Sequence, residues 1–194
     1  MSWLIRPTSR RCDILDDPLI GAEQIRALLV ELGRRLDLHG IEARLFLVGG
    51  AAMALAYSRD RVTRDLDAVF EPKREIYDAA ARMADDLGLP ENWLNDAVKG
   101  LLPEQVAPIE GTGSFSTAGL KVAVASAEYL FAMKAQAARQ ETDGDDLRQL
   151  ARIIGITSTA QALDLVERFY GPGRLQPKTQ FLLEDLLGGP DPAP

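Results

Sequence analysis

Asp65 and Asp67 stand two residues apart in Asp65-Leu66-Asp67-Ala68-Val69-Phe70, a run that otherwise holds only apolar residues and reads as a strand ended by Glu71-Pro72. Alternate residues of a strand share a face, so both carboxylates are expected to point the same way while Leu66 and Ala68 point into the core. Two carboxylates side by side repel, and one of them would ordinarily protonate. A hard divalent cation removes that conflict. Mg²⁺ wants oxygen ligands, takes one or two carboxylates, and leaves its other positions to water and substrate phosphates.

Upstream, Ala43-Arg44-Leu45-Phe46-Leu47-Val48 reads as a short buried strand running into Gly49-Gly50, with a small-residue helix expected over 51–57. Glycines lack a Cβ, so the backbone can come close to a triphosphate whose oxygens bond the N–H groups of the turn and of the next helix. Alone, an Asp-x-Asp pair is most often surface decoration and a Gly-Gly most often a turn. The order is more specific: strand, Gly49-Gly50, small helix, Arg61-x-Thr63, then Asp-x-Asp on an adjacent strand. A second group follows in Leu130-Phe131-Ala132-Met133-Lys134-Ala135, then Arg139 and Asp143-Gly144-Asp145-Asp146-Leu147. Lys134 reads either as a lysine snorkelling from a core helix or as a fixed charge aimed at a phosphate. Asp143 and Asp146 share one helix face, where they could hold Lys134 or Arg139, or add a ligand near the metal.

Along the rest of the chain, helical spacing predicts helices over 22–38, 73–87, 91–99, 127–140, 145–154, 160–170 and 178–187, and a further strand over 120–125. Gly- and Ser-rich connections are expected around 111–117, an irregular segment over 1–18, and a frayed tail over 188–194. Strands gather in the first two thirds and helices in the last third, an α+β pattern.

Composition removes several classes. Twenty-two Lys+Arg against 29 Asp+Glu gives a net charge of −7 over 194 residues, which argues against a general nucleic-acid coat, whose affinity comes from neutralised phosphates. Local basic clusters remain, at Arg6, Arg10 and Arg11, at Arg34 and Arg35, and at Arg59, Arg61 and Arg64. The single Cys12 excludes an internal disulfide and a cysteine-based zinc cage. The single His39, read as a helix-end residue, leaves no histidine-rich metal site or Ser-His-Asp triad. No apolar run is long enough to span a membrane, and the first residues lack the apolar stretch of a secretory signal, so a cytoplasmic protein is expected. Trp93 reads as a packing anchor, and Asn95 and Lys99 as either substrate contacts or surface helix.

The order of these motifs resembles the nucleotidyltransferase superfamily typified by polymerase beta, in its minimal form. The set Val48-Gly49-Gly50, Arg61-x-Thr63-x-Asp65-Leu66-Asp67, then Leu130-x-Ala132-Met133-Lys134, Arg139 and Asp143-x-x-Asp146-Leu147 is similar to the AbiEii-type nucleotidyltransferase toxins, which include the mycobacterial MenT proteins. Residues 89–99 are similar to a smaller branch of those proteins.

The resemblance implies a small mixed sheet forming a nucleotidyltransferase core. It further implies a division at 1–126 for the N-terminal helix plus core and 127–194 for a helical region completing the cleft. It implies Mg²⁺ or Mn²⁺ on Asp65 and Asp67, catalytic roles for Asp65, Asp67, Lys134 and Asp146, and substrate contacts from Gly49, Gly50, Arg61, Thr63, Arg139 and Asp143. Gly50 stands where many superfamily members have Ser, so backbone N–H groups would replace a side-chain contact to phosphate. No carboxylate stands on the 119–125 strand, where polymerase-like members carry a third. Either Asp143 or Asp146 fills that role, or the metals are held by fewer ligands. The implied reaction moves a nucleotide from an NTP to the 3′ end of tRNA and releases pyrophosphate, and the implied partner is a cognate antitoxin protein. Transfer of AMP to a protein or small-molecule hydroxyl, and a non-catalytic partner-binding module, stay open beside it.

Overall fold

The computed structural model describes residues 19–103 and 108–188. The predictions for 1–18, for Arg6, Arg10, Arg11 and Cys12, and for most of the C-terminal tail lie outside the described residues.

Helix α1, Ala22–Asp37, leads into β1, Ala43–Leu47. A short α2, Gly49–Ala52, widens into one π-helical turn, Met53–Tyr57. Strand β2, Leu66–Glu71, α3, Lys73–Leu87, and the two-residue β3, Leu94–Asn95, follow, then a 3₁₀ turn at Ala97–Leu101. The hairpin β4, Phe115–Thr117, and β5, Leu120–Val124, completes the sheet. Four helices follow among the described residues: α4, Ala127–Ala137; α5, Gln140–Ile154; α6, Thr159–Tyr170; and α7, Pro177–Leu187. The fold is α+β, as the distribution of strands and helices predicts.

The sheet is mixed, in the order β3-β2-β1-β5-β4. β1 runs antiparallel to β2 and parallel to β5, and β3 runs parallel to β2. One face carries Leu45, Leu47, Leu66, Ala68, Phe70, Leu120, Val122 and Val124, all buried. The other carries Arg44, Phe46, Asp67, Val69, Lys121 and Ala123. This alternation is the two-residue strand period, and it puts Asp67 on the second face. Aromatic edges tie the C-terminal helices to that face: Phe46 meets Tyr129 of α4 at 5.3 Å, and Tyr129 meets Phe169 of α6 at 5.6 Å.

α1 lies directly on the β4–β5 hairpin, and Gly33 allows it. A Cβ there would stand 1.9 Å from Thr117 Oγ1 and 2.7 Å from the Ala118 carbonyl oxygen. Gly33→Ala is therefore expected to cost about 2 kcal/mol through overpacking and to lower the thermal midpoint by about 4–8 °C. A midpoint unchanged in a thermal melt would show that the helix can shift at no cost.

The structure departs from the predicted elements in four places. The helix predicted over 91–99 is instead β3 and a 3₁₀ turn, because Leu66 N–H donates to the Trp93 carbonyl at 2.7 Å and draws the segment alongside β2. Trp93 is 1% exposed and its Nε1 donates to the Ala80 carbonyl at 3.1 Å, the packing anchor expected of it. The connection at 111–117 holds β4. α4 stops at Ala137, where Ala138 turns left-handed with φ 50°. α5 begins at Gln140 rather than 145, since Gly144 sits inside the helix with α7 against it. A mid-helix glycine costs about 1 kcal/mol, which packing outweighs here. Among the described residues, no helix is long and apolar enough to cross a membrane.

Candidate active site

Register places the two halves of the first motif together. Leu47 pairs with Ala68 across β1 and β2, so Asp67 comes level with the end of β1 and its carbonyl accepts from Val48 N–H at 3.0 Å. The chain then turns at Gly49 with φ +62°, a left-handed conformation open to glycine. A Cβ at Gly49 would stand 2.9 Å from Asp67 Oδ2. The glycine is needed twice, for the turn and for the room the carboxylate takes.

β2 starts at Leu66, one residue later than the sequence suggests, so Asp65 lies just before the strand. Its Oδ2 accepts from Asn95 Nδ2 at 3.0 Å, and Asn95 pairs with Asp67 in register across β2 and β3. Asn95 thus supports the acidic pair directly. Lys99, by contrast, ion-pairs with Asp96. The segment before the pair is held by Ile20 and Thr63, which exchange N–H···O bonds of 2.8 and 3.0 Å. Thr63 Oγ1 donates to the Asp65 carbonyl at 3.0 Å and lies where it would be 2.8 Å from a Cβ on Gly50. A hydroxyl therefore stands over Gly50, supplied by Thr63.

Lys134 sits on α4, whose N-terminus is capped by Ser126 Oγ accepting from Tyr129 N–H at 3.2 Å. It does not snorkel: it is 8% exposed, with Nζ 2.5 Å from Asp143 Oδ1 and 2.9 Å from Asp146 Oδ2. Arg61 Nη2 approaches the same Asp146 oxygen at 3.1 Å. Neither cation meets that oxygen along a hydrogen-bond direction, so Asp146 is held by charge contact. Four alternating charges, Arg61, Asp146, Lys134 and Asp143, thereby link the segment before β2 to α4 and α5.

A cleft of about 540 Å³ gathers these parts. Gly49, Gly50, Arg61, Thr63, Arg64, Asp65, Asp67, Lys134, Arg139 and Asp143 line it. Every candidate site residue of the sequence is among them except Asp146, which is 4% exposed and lies behind Lys134. Arg59 is exposed. His39 is exposed just past the end of α1.

The ion pairs of Lys134 and Arg61 go to Asp143 and Asp146, not to Asp65 or Asp67. Burial pushes the Asp67 carboxyl above the ordinary aspartate value of 3.8, and the neighbouring charge of Asp65 pushes it further. Asn95, Arg139 and Lys134 oppose the shift. A crowded, partly buried acidic pair fits a hard divalent cation, which would relieve the repulsion. Among the described residues, no group of three or more His, Cys, Asp or Glu side chains is placed to hold a metal. Asp143 and Asp146 are engaged by Lys134, so Asp65 and Asp67 are the carboxylates that could hold a metal.

A raised folded-state pKa means the native chain binds more protons than the unfolded chain above pH 3.8, so wild-type stability falls as pH rises through that window. Asp67→Asn removes the titration. In EDTA the variant is expected to melt above the wild type at pH 7, with the gap closing as pH falls toward 3.8 and gone below it. A gap that widened toward acid in a pH series of melts would reverse the sign and refute the crowding.

No family model and no curated protein matches the chain. Among solved structures it is similar to the crystal structure of an antigenic nucleotidyltransferase-like protein from Paracoccidioides brasiliensis, with 14% identity over 88% of this chain and 90% of that chain and a TM-score of 0.41. A likeness of that size does not assign a shared fold.

Proposed function

We propose that the chain is a nucleotidyltransferase that moves a nucleoside monophosphate from an NTP to a hydroxyl and releases pyrophosphate. The observation that carries this reading is the meeting, in one cleft, of the acidic pair, the close-approach glycine turn and a buried lysine. Asp65 and Asp67 would hold a divalent cation, Mg²⁺ or Mn²⁺, which when bound supplies charge neutralisation at the α-phosphate and activation of the attacking hydroxyl. Gly49 and Gly50 let phosphate oxygens reach backbone N–H groups, which at a helix start have no intrahelical partner. The Thr63 hydroxyl adds a contact over Gly50. Lys134, fixed by Asp143 and Asp146, and Arg139 at the cleft wall offset charge on the triphosphate. The acceptor oxygen bonds to the α-phosphorus as the bond to the β-phosphate oxygen breaks, so pyrophosphate leaves. Such a reaction asks for positioning and charge more than for covalent help from the protein.

The motif resemblance to AbiEii-type toxins supports a finer reading. The acceptor is the 3′ end of tRNA, the consequence is blocked translation, and an antitoxin protein restrains the enzyme. Arg64 in the cleft lining and exposed Arg59 give an acidic chain local positive charge for such a strand. The test is incubation with tRNA, Mg²⁺ or Mn²⁺, and each α-labelled NTP in turn. Label on tRNA, lost when its 3′-hydroxyl is oxidised beforehand, is the expected result. Label on protein or on a small molecule would refute the tRNA acceptor and favour AMP transfer to another hydroxyl.

A further inference from the structure

A second cavity, of about 390 Å³, opens beside the catalytic cleft and shares Leu101, Ala137 and Arg139 with it. Arg139, Arg174 and Lys178 line it, and among the described residues no carboxylate does. That stands out in a chain of net charge −7. The left-handed Ala138 between α4 and α5 sets Arg139 at the divide. Lys178 Nζ donates to the Ala137 carbonyl at 3.2 Å, which holds the ammonium at the wall.

Gln136 supplies the second clue. Its Nε2 donates to the Arg174 carbonyl at 3.2 Å. That oxygen can only accept, so the amide orientation is fixed and Oε1 is left buried without a partner. An orphaned acceptor beside three cations asks for a ligand that carries both negative charge and a hydrogen-bond donor. An ionised triphosphate tail or pyrophosphate offers acceptors alone, and the residues suited to a triphosphate, Asp65, Asp67 and Gly49-Gly50, line the first cavity and not this one. An RNA strand offers phosphodiesters next to 2′-hydroxyl donors.

We infer that the second cavity is the subsite for the sugar-phosphate backbone of an RNA acceptor, reached from the catalytic cleft past Arg139. The inference rests on the nucleotidyltransferase reading for its acceptor and is read out by binding, without catalysis.

The probe is 5′-fluorescein-labelled tRNA, titrated at several KCl concentrations against wild type and the double variant Lys178→Gln, Arg174→Gln. Each neutralised phosphate of a single strand contributes about 0.7 to the slope of log affinity on log salt. Two lost contacts should flatten the slope by about 1.4, which is about 25-fold weaker binding at about 0.1 M salt. Affinity for Mg·ATP should not change. If the double variant melts early, Lys178→Gln alone, which keeps a donor for the Ala137 carbonyl, should show about half the slope change and about fivefold weaker binding. RNA binding and slope equal to wild type would overturn the subsite, as would a parallel loss of Mg·ATP affinity, which would assign the cavity to the triphosphate. Wild type that binds RNA through Lys178 and Arg174 but transfers no nucleotide would overturn the catalytic reading and leave the subsite standing.

Discussion

Asp67→Ala is expected to lower nucleotidyl transfer by more than about 1,000-fold while the protein stays folded, since a metal ligand at the reacting phosphate is worth several kcal/mol. Asp67 is the cleaner of the two acidic positions. Asp65 accepts a 3.0 Å hydrogen bond from Asn95 Nδ2, which its truncation would leave unmade. Burial and the charge of Asp65 already work against the ionised form of Asp67, so its removal relieves the metal-free chain. Mg²⁺ with NTP should raise the thermal midpoint of the wild type and not of the variant, because a ligand that binds the native state alone stabilises it. Wild-type rates in Asp67→Ala would refute the role, and so would a loss of activity fully explained by unfolding.

Lys134→Ala carries the second large effect, and it acts on two quantities at once. It strands Asp143, which is 9% exposed, and leaves Asp146, which is 4% exposed, with Arg61 alone, and breaking a buried pair in this way costs about 3–5 kcal/mol. It also removes the fixed cation of the cleft, worth about 100-fold in rate. The two are separable. Lys134→Met with Asp143→Asn and Asp146→Asn removes the stranded charges, so it should regain most of the thermal midpoint and none of the rate. Lys134→Arg should recover part of the rate, since charge is kept but reach and shape change. A triple variant with wild-type kinetics would make the lysine a structural charge only.

How much of this was legible in the sequence differs by element. β1, the glycine turn and β2 are local, with a two-residue alternation that runs straight through Asp67, so both the strand pairing and the acidic face follow from the pattern. The i, i+3 spacing of Asp143 and Asp146 correctly put both on one face of α5 and left open whether they hold Lys134 or Arg139 or add a ligand near the metal. The fold places both on Lys134. What the chain order hides is long-range. Asn95 reads as helix or substrate contact because nothing local announces that 93–95 will pair with β2. Arg61 reads as a phosphate helper, and only the packing of α5 on α4 brings Asp146 to it. The sequence starts this helix at 145, since propensity is local and the contact of Gly144 with α7 is not. The second cavity has no motif at all. Gln136, Arg174 and Lys178 meet only because α7 returns to the end of α4.

The position of the transferred phosphorus tests the central claim most directly. Wild-type protein, Mg²⁺ and a total extract of RNA and protein would be given NTP labelled at the α-phosphate in one tube and at the γ-phosphate in another. Nucleotidyl transfer predicts that α-label appears on an acceptor while γ-label leaves only as pyrophosphate, with both products lost in Asp67→Ala. Transfer of γ-label to the acceptor, or no product from either label with any NTP in Mg²⁺ or Mn²⁺, would contradict it.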